Sequence, residues 1–185
     1  NNGWNAPVKL YFNNPAHSYF HPAITPGGER LFFVSDQPGG IGGTDIYYVN
    51  RKEDGSWDAT VNAGASINTA ANELFPTFYE SNLYFSSNGH EGLGGLDIYK
   101  FKSTGVENLG KPINSEKDDF SFSFNKLQDV GYFSSNRSGL DAIYTALPIC
   151  KANSLVTVTD KKTGQIIINA LVTISDSNEN ILSSK

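Results

Sequence analysis

An aspartate recurs close to an Ile-Tyr pair in three similar segments of the chain. These residues are Asp45, Asp97 and Asp141, which are 52 and 44 residues apart. Such carboxylates could bind a cation, but a calcium site needs several oxygen ligands from one loop, and their neighbours are mostly Gly and apolar. We therefore expect each Asp to accept backbone N–H groups of the turn before its strand. Asp118 and Asp119 are expected in a solvated linker.

Two Gly-rich runs, residues 39–43 and 89–95, precede the first two of these aspartates. A phosphate cradle would place such a run before a helix and follow it with Lys-Ser/Thr, whereas these runs lead into strands. The sequence predicts flexible, exposed hairpin loops on one face of the molecule, a common location for partner recognition. The candidate partner-binding residues are Gly39, Gly40, Ile41, Gly42, Gly43, His90, Glu91, Leu93 and Arg137.

The histidines and serines do not predict a catalytic site. His21 occupies the same place before Pro as Phe75 does, which indicates packing, and His90 lies in a Gly-rich loop and is expected to be solvated. Ser86-Ser87-Asn88 and Ser134-Ser135-Asn136 belong to the repeated pattern, and no G-x-S-x-G nucleophile motif is present. We expect no enzyme activity, no cofactor and no metal site.

These residues lie on three copies of one pattern, at residues 31–48, 83–99 and 132–144. Each copy has an aromatic strand, a Ser followed by Asp or Asn, a glycine-containing loop and an Ile-Tyr strand. A period of about 40–50 residues with several short strands is typical of β-propeller blades. Adjacent aromatic pairs such as Phe32-Phe33 and Tyr84-Phe85 should place one ring between blades, with sugar stacking as the alternative.

The strands of each repeat can be assigned from turn residues and alternation. The predicted strands are 22–25, 30–35, 45–50 and 59–67 in the first repeat, 76–78, 82–87, 97–102 and 107–113 in the second, and 120–124, 130–135 and 142–147 in the third. The third repeat lacks a fourth strand. Residues 4–13 are predicted to form the last strand of an earlier blade, because Trp4 aligns with Trp57. Three blades do not close a propeller, so further blades are expected upstream.

Composition narrows the class of protein. The 185 residues include 12 Phe, 9 Tyr and 18 Gly, which favours an all-β fold, and the net charge of −5 argues against a nucleic-acid partner. No apolar run is long enough for a transmembrane helix. The single cysteine, Cys150, excludes an internal disulfide; it is either a free thiol or paired to a partner or to sequence outside this segment.

Residues 20–147 resemble the WD40-like, TolB-type repeat family known as PD40. The likeness is carried by Pro26-Gly27-Gly28, Leu31-Phe32-Phe33, Ser35-Asp36 and Asp45-Ile46-Tyr47, and by Ser134–Arg137 in the third copy. Gln37 and Gly89 depart from the family's usual Arg. The resemblance implies an all-β fold, with about three four-stranded blades of a larger propeller in residues 1–147.

The segments between repeats resemble linkers of Bacteroidetes OmpA-family envelope proteins. Residues 61–69 and 109–115 carry the Ile-Asn-(Ser/Thr) ending of those linkers, and Asp160, Thr163-Gly164 and Asn169-Ala170 fit the start of a carboxypeptidase-regulatory-like β-sandwich. This likeness implies a linker at 148–153 and a truncated β-sandwich module at 154–185. It also implies peptidoglycan binding through a domain that this chain does not contain.

The function that these likenesses imply is a non-enzymatic scaffold that holds other envelope proteins together. Its expected location is the periplasm, associated with the outer membrane, and its expected service is type IX secretion or gliding. The alternative is an accessory propeller of a secreted or periplasmic hydrolase that acts on peptides or glycans, since TolB-type propellers also precede peptidases.

Overall fold

The computed structural model describes residues 3–148, 156–175 and 181–184. The chain divides into two compact units, Asn1–Pro148 and Ile149–Lys185. Over the described residues, the structure contains no helix with the length and apolar character needed to cross a membrane.

The first unit consists of three antiparallel sheets, in each of which neighbouring strands are consecutive in sequence. We name them blades 1 to 3. Blade 1 contains β1 (Tyr19–Ile24), β2 (Arg30–Ser35), β3 (Asp45–Asn50) and β4 (Val61–Asn62); blade 2 contains β5 (Glu73–Tyr79), β6 (Asn82–Ser87), β7 (Asp97–Lys102) and β8 (Gly105–Asn108); blade 3 contains β9 (Asp119–Asn125), β10 (Val130–Ser135) and β11 (Ala142–Ala146). The predicted bounds of β2, β3, β6, β7 and β10 are confirmed.

The first strand of every blade carries a bulge at the same register. The pairing shifts between Phe20 and Ala23 in β1 and at the equivalent places in β5 and β9. His21 and Phe75 have φ values of 51° and 53° at these bulges, in the left-handed region that non-glycine residues rarely adopt. The rings of His21 and Phe75 stack with centroids 3.9 Å apart, and Phe75 stacks on Phe120 at 5.4 Å. The packing role predicted for His21 is confirmed.

The core lies between the blades. Alternation along the strands sends Phe32, Val34 and Ile46 of blade 1 towards blade 2, where they form one cluster with Leu83, Phe85 and Tyr99. Ile98 of blade 2 packs with Phe133 of blade 3 in a second cluster. The prediction that one ring of the aromatic pairs lies between blades is confirmed, and each such side chain contributes about 2 kcal/mol through burial.

Residues 4–13 do not form the predicted strand. Trp4 and Val8 are exposed, at 103% and 86% of their reference areas. A strand is held by hydrogen bonds to a neighbouring strand, and over the described residues this segment pairs with none of the strands. Further along the segment, the ring of Phe12 stacks on Phe33 with centroids 4.9 Å apart.

The second unit contains a two-stranded antiparallel sheet of β12 (Thr173–Ser175) and β13 (Ile181–Ser184). Thr159 and Ile166 form a bridge around a turn in which the Asp160 carboxylate accepts N–H bonds from Lys162 and Thr163 at 2.9 and 2.8 Å. These bonds, the Thr163 backbone bond foremost, lower the pKa of Asp160. The predicted all-β class, propeller blades followed by a smaller sandwich-type module, is confirmed. Cys150 lies outside the described residues.

Candidate functional site

Two of the repeated aspartates organise the Gly-rich loops, as predicted. The Asp45 carboxylate is buried and accepts the N–H groups of Ile41 at 2.5 Å and Gly42 at 3.1 Å. Asp97 accepts the N–H groups of Leu93 and Gly94 at the same two distances. These carboxylates therefore fix loop geometry, and within the described residues no group of three His, Cys, Asp or Glu side chains is placed to hold a metal ion.

Asp141 does not take the predicted role. Ser35 pairs with Asp45 and Ser87 with Asp97, but the equivalent Ser135 pairs with Ala142. Asp141 therefore lies one position before the place of the other two aspartates, and it is exposed. The third loop is several residues shorter, so it lacks a counterpart of the apolar-Gly pair, Ile41-Gly42 or Leu93-Gly94, whose N–H groups bind the carboxylate in the other two loops.

The Gly-rich loops lie on the surface, but each is anchored to the linker that enters the next blade. The N–H of Gly43 donates to the carbonyl oxygen of Ala71 at 2.7 Å. A Cβ at Gly42 would lie 2.3 Å from the same oxygen, and a Cβ at Gly94 would lie 2.0 Å from the Lys117 carbonyl oxygen. Glycine is required at these positions because the backbones approach too closely for a side chain.

One buried asparagine in each linker binds the linker to the blade that precedes it. Asn68 accepts the N–H of Ile46 at 2.8 Å and donates to the Ile46 carbonyl oxygen at 2.9 Å. Asn114 makes the same pair of bonds with Ile98, at 2.9 and 2.8 Å. We call this arrangement the asparagine clasp. It accounts for the Asn in the Ile-Asn-(Ser/Thr) linkers.

The residue after each clasp binds a buried acid on the first strand of the following blade. Thr69 donates its N–H and hydroxyl to Glu73 at 2.8 and 2.7 Å, and Ser115 does the same to Asp119 at 2.6 and 2.7 Å. Glu73 and Asp119 are fully buried. The expectation of a solvated linker at Asp118 and Asp119 is therefore wrong. The sequence around Asp118-Asp119 gives no local signal that hydroxyl and N–H donors surround this pair.

Arg137 stabilises the junction between blades 2 and 3. Its guanidinium forms an ion pair with the buried Asp119 and donates to the carbonyl oxygens of Pro112 and Ile113. It also lies 5.0 Å from the ring centroid of Phe133. Most of its donors are thus used within the chain, which makes Arg137 primarily a structural residue.

His90 is half-buried, contrary to the expected solvated position. Its Nε2 lies 2.8 Å from the carbonyl oxygen of Ile67, in the linker before blade 2, and its ring centroid lies 5.2 Å from that of Tyr99. The Tyr99 hydroxyl donates to the His90 and Glu91 carbonyl oxygens, and burial raises the pKa of Tyr99 to about 12. Tyr99 therefore stays protonated and acts as a hydrogen-bond donor.

The connections between the second and third strands leave exposed apolar tips on one face, which we call the loop face. Ile41 and Leu93 remain 45% and 43% exposed, and Leu140 of the third loop is 83% exposed. All three residues lie in connections between the second and third strands of their blades, so they emerge from the same ends of the sheets. The candidate residues Gly39, Gly40, Gly42, Gly43 and Glu91 are exposed on this face. Leu140 was missed, although the Gly139-Leu140 pair repeats the Gly-apolar pattern of the other two tips.

An open cavity of about 450 Å³ lies between blades 2 and 3 and is lined by Lys111, Lys117, Glu116 and Arg137. Lys111 is paired with Glu116 at 3.7 Å, and Arg137 with Asp119. Two of the three cations that line the cavity are thus paired with acids. A larger groove, of about 560 Å³, lies between blades 1 and 2 and is lined by aromatic rings and by the cations Arg30 and Lys102.

No protein-family model matches the chain, and no curated protein matches it. Among solved structures, the chain is similar to TolB from Acinetobacter baumannii, with 17% sequence identity and a TM-score of 0.45 over 80% of this chain. The match spans 31% of the length of that structure. The class of the first unit, a β-propeller arrangement, follows from the three blades themselves.

Proposed function

We propose that this chain is a non-enzymatic interaction module that binds partner proteins through the apolar tips of its loop face. The observation that carries the proposal is that Ile41 and Leu93 combine an exposed apolar side chain with a backbone that is anchored by hydrogen bonds. Both tips are nearly half exposed, while their own N–H groups are held by buried carboxylates. A preorganised apolar surface loses little conformational entropy on binding.

The acidic side chains of the blades support a structural role over a catalytic one. Asp45, Asp97, Glu73 and Asp119 each accept hydrogen bonds from loop or linker groups. A general acid or base must instead reach a proton of the substrate. The buried carboxylates at the two junctions, between blades 1 and 2 and between blades 2 and 3, are thus engaged in holding blades and loops together.

The cellular setting in this proposal comes from the sequence likeness alone. The linkers and the residues after 154 resemble those of OmpA-family envelope proteins. We therefore propose a periplasmic protein associated with the outer membrane, whose parent reaches peptidoglycan through another domain. In its most specific form, the proposal is that the protein serves type IX secretion or gliding.

A photo-cross-linking experiment in the native cell tests the interaction surface. A photoreactive amino acid is placed at position 41 or 93 of the full-length protein, and at Leu127 as the matched control. Leu127 is 98% exposed in the turn between β9 and β10, at the opposite ends of the sheets. We expect discrete adducts with envelope proteins from positions 41 and 93 that are absent from position 127.

Equal adducts from all three positions, or adducts from position 127 alone, would overturn the assignment of the surface. Cell fractionation tests the location, since a protein recovered outside the envelope contradicts it. A hydrolase domain in the full-length protein, with activity that this propeller modulates, would favour the accessory role in a hydrolase.

A further inference from the structure

The junction between blades 1 and 2 opens into a groove at the strand ends that lie away from the loop face. Near the loop face, the core side chains Val34 and Ile46 have no exposed surface. Towards the opposite ends, Tyr48, Phe78 and Phe101 are only partly buried against the same cluster. The packing between the two blades therefore loosens in this direction, and it leaves the open groove of about 560 Å³.

The groove has an apolar floor and a polar rim, which is the usual composition of a site that binds another protein chain. Phe32 and Leu83 contribute to the floor and are 6% and 5% exposed. The rim carries side chains that can form hydrogen bonds, which are Thr25, Ser81, Asn82 and Ser103, and the cations Arg30 and Lys102. Among the described residues, none that lines the groove is acidic, although the whole chain has a net charge of −5. The charge of the groove is thus complementary to an acidic ligand.

The Arg30 guanidinium is held in place and keeps two nitrogens for a ligand. Its Nε donates to the side-chain oxygen of Asn50 at 2.9 Å, and its Cζ lies 4.4 Å from the ring centroid of Tyr48. Over the described residues, its two Nη nitrogens form no hydrogen bond or ion pair, whereas Lys102 is paired with Glu107. Arg30 therefore offers a fixed, planar fork that matches the two oxygens of a carboxylate.

The pair of Arg30 and Tyr48 is not part of the repeated architecture. The strand register places Asn82 of β6 where Arg30 stands in β2, and Lys100 of β7 where Tyr48 stands in β3. The junction between blades 2 and 3 therefore packs without a stacked arginine and tyrosine at these positions. Blade packing does not require this pair.

We propose that the groove binds an acidic segment of a partner protein in an extended conformation. An Asp or Glu carboxylate of the segment accepts hydrogen bonds from both Nη nitrogens of Arg30, and an apolar side chain two residues away packs on the floor at Phe32 and Phe78. The Cζ atom of Arg30 lies 5.9 Å from the ring centroid of Phe32. Side chains two residues apart on one face of an extended segment are separated by about 6.6 Å, which is close to this distance.

The geometry favours such a segment over an anionic sugar or a chain terminus. A sugar ring stacks on an open aromatic face, whereas the guanidinium of Arg30 already covers the ring of Tyr48. The polar rim extends from Thr25 of blade 1 to Ser103 of blade 2, which provides partners for the backbone of several residues. The proposal is independent of the loop face, because the groove lies at the opposite ends of the strands.

A peptide array tests the groove of the full-length protein. The array holds peptides with both termini capped, in a Gly-Ser background, each with one Asp and one Phe at different spacings, and matched peptides with Asn in place of Asp. We expect the strongest binding when a single residue separates Asp from Phe, and weak binding of every Asn peptide. The strongest peptide is then titrated against the variants by fluorescence anisotropy.

The variants separate the groove from the rest of the surface. Arg30→Gln should weaken binding about tenfold or more, because the carboxylate loses its charged donor, and Arg30→Lys should weaken it less, because the charge remains without the planar fork. Arg51→Gln is the matched control, since Arg51 is an exposed arginine of the same blade that lies 6.0 Å from the ring centroid of Trp57, outside the groove. Ser81→Trp, at an exposed rim position, should block binding without removing a core side chain.

Four results would overturn the proposal. Two concern the capped peptides: equal binding to Arg30→Gln and Arg51→Gln, or no Asp peptide that binds better than its Asn counterpart. The third is a preference for uncapped peptides that have a free terminal carboxylate and no Asp, which would assign the groove to a chain terminus. The fourth is stronger binding of oligogalacturonate in the same assay, which would assign the groove to an anionic glycan.

Discussion

Replacing Asn114 by Ala removes the clasp between blade 2 and the linker that enters blade 3. The side chain is 1% exposed and makes three hydrogen bonds, two of them to the backbone of Ile98 and one to Asn108. Ala fits the space but leaves the buried Ile98 N–H without a partner and removes one of the two donors to the Ile98 carbonyl oxygen, which keeps the Leu109 N–H at 3.1 Å. Asn114→Asp keeps an acceptor for the N–H and loses the donor to the carbonyl.

The cost follows from the number of orphaned groups. The orphaned Ile98 N–H costs about 1–3 kcal/mol and the lost bond to the carbonyl oxygen about 1 kcal/mol, so Asn114→Ala should lower the free energy of unfolding by about 2–4 kcal/mol. Asn114→Asp places a buried carboxylate oxygen against the Ile98 carbonyl oxygen, so it should cost at least as much as Asn114→Ala. Asn125→Ala, in an exposed turn where the side chain binds the Leu127 N–H at 3.0 Å, should cost less than about 1 kcal/mol.

Urea unfolding of the four proteins gives these differences, with hydrogen exchange at the Ile98 amide as the local readout. We expect the Ile98 amide to lose protection in Asn114→Ala while the amides of β2 keep theirs. A loss of stability below about 0.5 kcal/mol, or an unchanged Ile98 exchange rate, would refute the clasp as a stabilising element.

Three further outcomes are expected. Gly94→Ala should lower the free energy of unfolding by about 1–3 kcal/mol, because its Cβ would lie 2.0 Å from a carbonyl oxygen of the next linker; Gly3→Ala, with nothing within 4 Å, should be neutral in the same urea titration. Arg137→Met should cost about 2–4 kcal/mol by leaving the buried Asp119 carboxylate uncompensated, and adding Asp119→Asn should recover part of the loss in a double-mutant cycle. Burial lowers the pKa of His21 from 6.5, so the unfolded chain takes up its proton first and stability should fall as pH drops below about 6.5; His21→Phe should remove that part of the pH dependence of Tm.

The strands whose bounds the sequence predicted to the exact residue are those that are marked by local sequence signals. β2 and β6 are bounded by Gly- or Asn-containing turns and alternate apolar side chains between two blade interfaces. β4 was predicted over 59–67 but spans Val61–Asn62, because the remaining residues belong to the linker and its clasp. The hydrophobic pattern does not change where the chain passes from this strand into the linker, so the pattern does not mark the end of the strand.

The chemistry of the junctions could not be predicted because its partners are distant in sequence. Arg137 and Asp119 are 18 residues apart, and His90 and the Ile67 carbonyl are 23 apart. The Asp141 prediction was wrong for another reason. Alignment by residue type matched it to Asp97, whereas counting back from the paired strand assigns the position to Ala142.

The interface position of residues such as Ile98 was accessible from the period-two pattern alone. The sequence does not show which of the three blade faces is covered, since Ile143 stands in an almost identical sequence and is exposed.

Each complete junction draws its clasp and buried-acid bonds from one blade, the linker that follows it and the next blade. The clasp at Asn68 needs only Ile46, and the acid at Glu73 needs only Thr69 and Ser87. Stability in such an array is a sum of nearest-neighbour terms. A gene duplication of one repeat would therefore bring its own junction with it, and blade number could change during evolution without new compensating substitutions.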